Sequence, residues 1–147
     1  RYPKAREVCQ VIADQLRKAD VRTELVAQEF AVFWGNEGVN GGKLPFYYVG
    51  RPAVDADTVY EQYFRSGVTK RLDYKNPVFD KLIVEEQTTG DMKKRTALMQ
   101  QAGRILMEDA PFVPLYTLAE IYGVARNVIW KATPGERVLS YEMKIRS

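Results

Sequence analysis

The sequence predicts a mixed α/β fold, a mixed sheet flanked by helices, on three observations. Apolar residues recur at helical spacing in four stretches, each opening near a proline, aspartate or asparagine. Five other stretches alternate or run apolar over strand-like lengths. The order reads α, β, a short α, β, three α, then three β, with no internal repeat and no linker between domains.

The elements follow in chain order. Pro3 suits a first helical turn, where its missing N–H would be unpaired anyway, and Ala5, Val8, Cys9, Ile12, Ala13 and Leu16 form one apolar stripe behind it. Cys9 on that stripe reads as a small packed hydrophobe, and a lone cysteine has no partner for an internal disulfide. Asp20 breaks the pattern. Val21–Phe30 reads as a strand, because Val21, Thr23 and Leu25 alternate with Arg22 and Glu24. A helical turn over Ala31–Trp34 precedes Gly35–Gly42, whose four glycines in eight residues make it the most flexible stretch of the sequence. Phe46–Gly50 is an apolar run of the kind that fills a central strand.

Asp55 or Asp57 caps a helix with the stripe Val59, Tyr60, Tyr63 and Phe64, which Gly67 ends. Asn76-Pro77 combines a cap with a first-turn proline ahead of Phe79, Leu82 and Ile83. Asp91 caps the longest helix, with Leu98, Ala102, Ile105 and Leu106 facing inward, and Pro111 stops it. Phe112–Thr117, Glu120–Arg126 and Val138–Ile145 read as strands, the first demoted to an edge by Pro114.

Composition narrows the function classes. The 147 residues hold 22 basic and 19 acidic side chains, a formal net charge of +3, with the basic excess spread through residues 91–147. A diffuse excess lacks the stripe that displaces counterions from phosphates, so no nucleic-acid partner is expected. Lys93-Lys94-Arg95 is the one basic run and reads as a solvated helix face. Histidine is absent, which removes the commonest general base and transition-metal ligand. Asp55 and Asp57 are the nearest approach to a catalytic carboxylate pair, but a cap and an exposed turn account for them more simply. No P-loop, dinucleotide fingerprint, zinc spacing or nucleophile elbow occurs, so no metal or cofactor is expected. Nine tyrosines and two tryptophans could line a ligand cleft, though each taken singly reads better as core. No apolar run approaches the roughly 18–20 residues of a membrane span.

Two motifs carry a resemblance. Tyr74-Lys75-Asn76-Pro77 leads to Asp80 and Leu82, and Asp91, Arg95, Leu98 and Ala102 lead to Ile105-Leu106-Met107-Glu108-Asp109-Ala110-Pro111, then Pro114-Leu115-Tyr116. This ordered pattern resembles the C-terminal lobe of the extracytoplasmic solute-binding proteins of family 5, the oligopeptide- and dipeptide-type binding proteins of ABC importers. The resemblance implies that residues 1–147 are part of the C-terminal lobe of a type II periplasmic-binding-protein-like fold. The N-terminal lobe and its signal or lipoprotein segment would lie outside this sequence, an expectation that fits the start at Arg1.

The implied function is capture of a peptide or other small solute between two closing lobes, with delivery to ABC permease subunits. No bond is made or broken, and the location is periplasmic or a cell-surface lipoprotein. Peptide-binding members carry a "G-W-x-x-D-Y-x-D-P-x-x-F" segment whose first aspartate holds the peptide amine. Tyr48, Val49, Gly50 and Arg51 align with its start and are the expected ligand-binding residues. Val49 then replaces the tryptophan, Pro52 replaces the amine-holding aspartate, and Asp55 matches the later acid. Arg51 beside that gap favours a carboxylate or phosphate over an ammonium. Two other classes stay open: a protein-interaction module, marked by a bare apolar face, and a carboxylate-based hydrolase, marked by a polar cluster with a competent base.

Overall fold

The computed structural model describes residues 2–51, 55–119, 121–133 and 138–146. Helices dominate: α1 (Ala5–Lys18), α2 (Phe30–Trp34), α3 (Ala56–Tyr63), α4 (Pro77–Gln87) and α5 (Met92–Asp109). Two short strands, β1 (Val128–Ile129) and β2 (Lys144–Ile145), pair antiparallel with Val128 opposite Ile145 and Ile129 opposite Lys144. The molecule is therefore mixed, with far more helix than sheet.

Local chemistry sets the helix starts. Asn76 Oδ1 accepts from the backbone N–H groups of Val78 and Phe79, at 3.0 and 3.1 Å, and Pro77 occupies the first turn. Asp91 Oδ1 does the same for Lys93 and Lys94, at 2.8 and 2.9 Å. Asp55 caps α3 by accepting from Asp57 N–H at 3.2 Å, the role its spacing indicated. The α5 helix ends at Ala110, which takes the left-handed conformation at φ 48° just before Pro111.

The core lies where α3, α4 and α5 meet. Tyr63, Phe64, Phe79, Ile83, Ala102 and Leu106 are buried together, with Phe79 and Ile83 wholly shielded. Each wholly buried side chain of this size contributes roughly 1.5–3 kcal/mol by transfer from water. Phe79 meets the rings of Tyr60, Phe64 and Tyr74 edge-on at 5.7–6.4 Å, the geometry that aromatic quadrupoles favour. Trp34 and Val49 pack on the rim of this cluster and tie the preceding loops to it.

A polar layer crosses the same junction. Glu86 is 1% exposed; its Oε1 accepts from Arg95 Nε, and Arg95 also pairs with Asp55 at 2.9 Å. Arg95 thus leaves the solvated face expected of its basic run, while Lys94 keeps to the surface and pairs with Glu85 at 2.9 Å. Cys9 is half-buried, and burial pushes its thiol pKa up, away from reactivity.

Several expected strands are absent among the described residues. Residues 21–29 form no strand and α2 begins at Phe30; Phe46–Gly50, Phe112–Thr117 and residues 121–126 also form no ladder, and Glu120, the expected start of the last of these, lies outside the described residues. Val138–Ile145 shrinks to β2, with Ser140–Glu142 wound into a 3₁₀ turn. The physical reason is common to all: a helix closes its own hydrogen bonds, whereas a strand needs a neighbour. Much of their apolar surface stays exposed, with Val26, Phe46, Val113 and Ile121 at 64–95% of full accessibility. Gly35–Gly42, expected to be flexible, is a stack of turns in which Val39 is wholly buried and its N–H reaches the Phe33 carbonyl at 2.7 Å.

Candidate functional site

The segment carrying Tyr48, Val49, Gly50 and Arg51 runs from the glycine turns toward the α3 cap. Tyr47, just before it, donates its hydroxyl to the Arg71 carbonyl at 3.2 Å and anchors the chain.

Tyr48 and Tyr116 share a hydrogen bond, Oη to Oη 2.7 Å apart, across 68 residues of sequence. The Tyr2 ring stands edge-on to Tyr48 with centroids 5.9 Å apart. Burial, reinforced by the Tyr116 contact, pushes the Tyr48 phenol up to about 12. At neutral pH it is therefore a hydrogen-bonding hydroxyl with no nucleophilic phenolate form. Val49 packs on the core cluster and supports the segment from beneath. Gly50 lies under Tyr2: a Cβ there would come within 3.1 Å of that ring.

Arg51 turns outward. Its Nη2 donates to Gln62 Oε1 on α3 at 2.6 Å, which holds an exposed guanidinium in place. No hydrogen bond or ring contact joins Arg51 to Tyr48 among the described residues, so the segment presents two separate features: a tyrosine cluster and a guanidinium held by Gln62. Pro52 lies outside the described residues. Tyr2 and Gln62 carry no signal in the sequence and Tyr116 stands there only as the end of a motif, because each reaches the segment through tertiary contact.

The acidic residues are arranged differently. Gln87 Nε2 donates to Asp57 at 3.1 Å and to Glu61 at 3.2 Å, and beside them Glu86 accepts from Arg95. Burial and then the nearby Asp57 carboxylate raise the Glu86 pKa, against the lowering effect of Arg95. Among the described residues no group of three or more carboxylate, cysteine or histidine side chains is set to hold a metal ion.

Comparison of the chain with protein-family models, with curated proteins and with solved structures finds no match in any of the three.

Proposed function

We propose that this chain is part of the C-terminal lobe of a family 5-type solute-binding protein, the capture subunit of an ABC importer. The supporting observation is the Tyr48–Tyr116 contact at 2.7 Å. It joins the segment expected to face solute to the last residue of the Asp109-Ala110-Pro111…Leu115-Tyr116 motif, one of the two that carry the resemblance.

In this reading Tyr48 and Arg51 offer a hydroxyl and a guanidinium to a peptide or another small solute carrying an acidic group. The other half of the cleft belongs to a second lobe. Solute touches both lobes only when they close, which shifts the population toward the closed state and toward the permease. The finer fold is then type II periplasmic-binding-protein-like, and the strand-patterned segments that form no ladder find their partners in the remainder of the protein. The location is periplasmic or a cell-surface lipoprotein. Among the described residues no helix is long and apolar enough to cross a membrane.

A second reading has its own support. Val113, Leu115, Tyr116, Leu118 and Ile121 are all exposed, as expected if this stretch is the docking face of a protein-interaction module.

Calorimetric titration of the full-length protein with peptides and with anionic solutes separates these readings, paired with small-angle scattering. The expected outcome is saturable binding, compaction on ligand addition, and about tenfold weaker binding of acidic solutes by Arg51→Ala. Solute binding without compaction, or no solute binding with a stable protein complex instead, would refute the importer reading.

A further inference from the structure

An open groove of about 600 Å³ runs between the glycine turns and residues 68–71. That volume is in the range of small-molecule sites. Its charged lining has one sign: Lys43, Lys70 and Arg71 stand around it with Asn36 and Asn40, and no carboxylate lines it. None of these three cations is in an ion pair among the described residues, so no carboxylate competes for their charge.

The groove is built by specific backbone contacts. Gly42 sits at φ 67° so close to Lys70 that a Cβ would stand 2.4 Å from the Lys70 carbonyl oxygen. That approach brings the Lys43 and Lys70 side chains to one rim. Arg71 is fixed more firmly. Its guanidinium carbon lies 4.9 Å from the Tyr63 ring centre and 5.6 Å from that of Trp34, and its Nε donates to Asn40 Oδ1 at 3.0 Å. A guanidinium held on aromatic faces loses little further freedom when it grips an anion.

We propose that this groove binds a phosphate-type oxyanion, free or as a phosphomonoester. Three cations line one opening with no carboxylate among its lining residues, and a ligand of charge about −2 complements them. The planar fork of Arg71 matches two oxygens, the lysines act as point charges on a third, and the Asn36 and Asn40 amides add polar contacts at the wall. A single carboxylate would use only part of this set. The groove is separate from Tyr48–Arg51, and the proposal does not depend on the importer reading.

Calorimetric titration of the full chain in low-salt buffer with sodium phosphate, and in parallel with phosphoserine, tests it and distinguishes the two sources. One saturable site is expected, weakened about tenfold by Lys43→Gln or Lys70→Gln and lost in the double variant, with the helical circular dichroism unchanged. The lysine variants carry the test because Arg71→Ala also strips packing from Trp34 and Tyr63. No saturable heat with either probe, or binding that the folded double variant retains, overturns the proposal.

Discussion

Tyr74, just ahead of α4, donates its hydroxyl to Asp109 at the end of α5. Asn76 Nδ2 reaches the same carboxylate oxygen at 2.8 Å. One aspartate therefore fastens the start of one core helix to the end of the next, while Asn76 simultaneously caps α4 through its own oxygen. The most specific residues of the family-like pattern thus do structural work, which explains how they can be present whatever the protein binds.

Removing either end of this clasp should lower the melting temperature. Tyr74→Phe and Asp109→Asn are each expected to do so, and their effects should fall well short of adding in the double variant, since both delete one contact. The hydrogen bonds from Tyr74 and Asn76 hold the Asp109 pKa below its ordinary value of 3.8. An acid depressed in the folded state contributes stability above its unfolded pKa and loses it as pH falls through the folded one. The gap between wild type and Asp109→Asn should accordingly close below about pH 4. Thermal melts from pH 2 to 7 measure it.

Glu86 should show the opposite sign. Its pKa is raised above the ordinary 4.5 by burial and by Asp57, so the folded state binds a proton more readily than the unfolded chain. Its contribution to stability is then full below 4.5 and declines as pH rises toward the folded-state value. Glu86→Gln keeps the shape and removes the charge. Relative to wild type it should gain stability as pH rises from 4 to 8, read by urea midpoints at each pH; a difference independent of pH would contradict this assignment.

Truncation of the core should be severe. Phe79→Ala and Leu106→Ala empty sites 0% and 1% exposed and are expected to cost about 3–5 and 2–5 kcal/mol respectively. Ile83→Val at a wholly buried site should cost only about 0.5–1.5 kcal/mol. Denaturant midpoints with unchanged m-values would check both.

Two positive-φ glycines should separate strain from crowding. Gly67→Ala, at φ 74° with nothing within 4 Å of the new Cβ, should cost about 1–2 kcal/mol from backbone conformation alone. Gly42→Ala, at φ 67°, adds a clash with the Lys70 carbonyl and should cost more. It should also disturb the Lys43–Lys70 rim, seen as amide shift changes at residues 42–44 and 69–71.

The helices were legible in the sequence because their signals are local. Asn76-Pro77, Asp91 and Pro111 act within one turn of themselves, and the stripes behind them survive any tertiary arrangement. Val21–Phe30, Phe46–Gly50 and Phe112–Thr117 show strand-like patterns equally well, but a pattern specifies a face and supplies no partner for the backbone. The candidate surfaces were hidden for a related reason. Tyr48 and Tyr116 are far apart in the chain, and the Lys43, Lys70 and Arg71 groove exists only once Gly42 backs onto Lys70. A lysine just after a glycine-rich turn and a Lys70-Arg71 pair were the available signals, too common to stand out.

The buried cluster draws all six of its members from residues 63–106, a single short stretch of chain. Contacts drawn from one stretch need shorter loops to close than distant pairings, which favours early formation of this cluster during folding. Amide exchange should divide along the same line: the interiors of α4 and α5 open last, whereas α1 and the β1–β2 ladder exchange through fraying that leaves the helical centre intact.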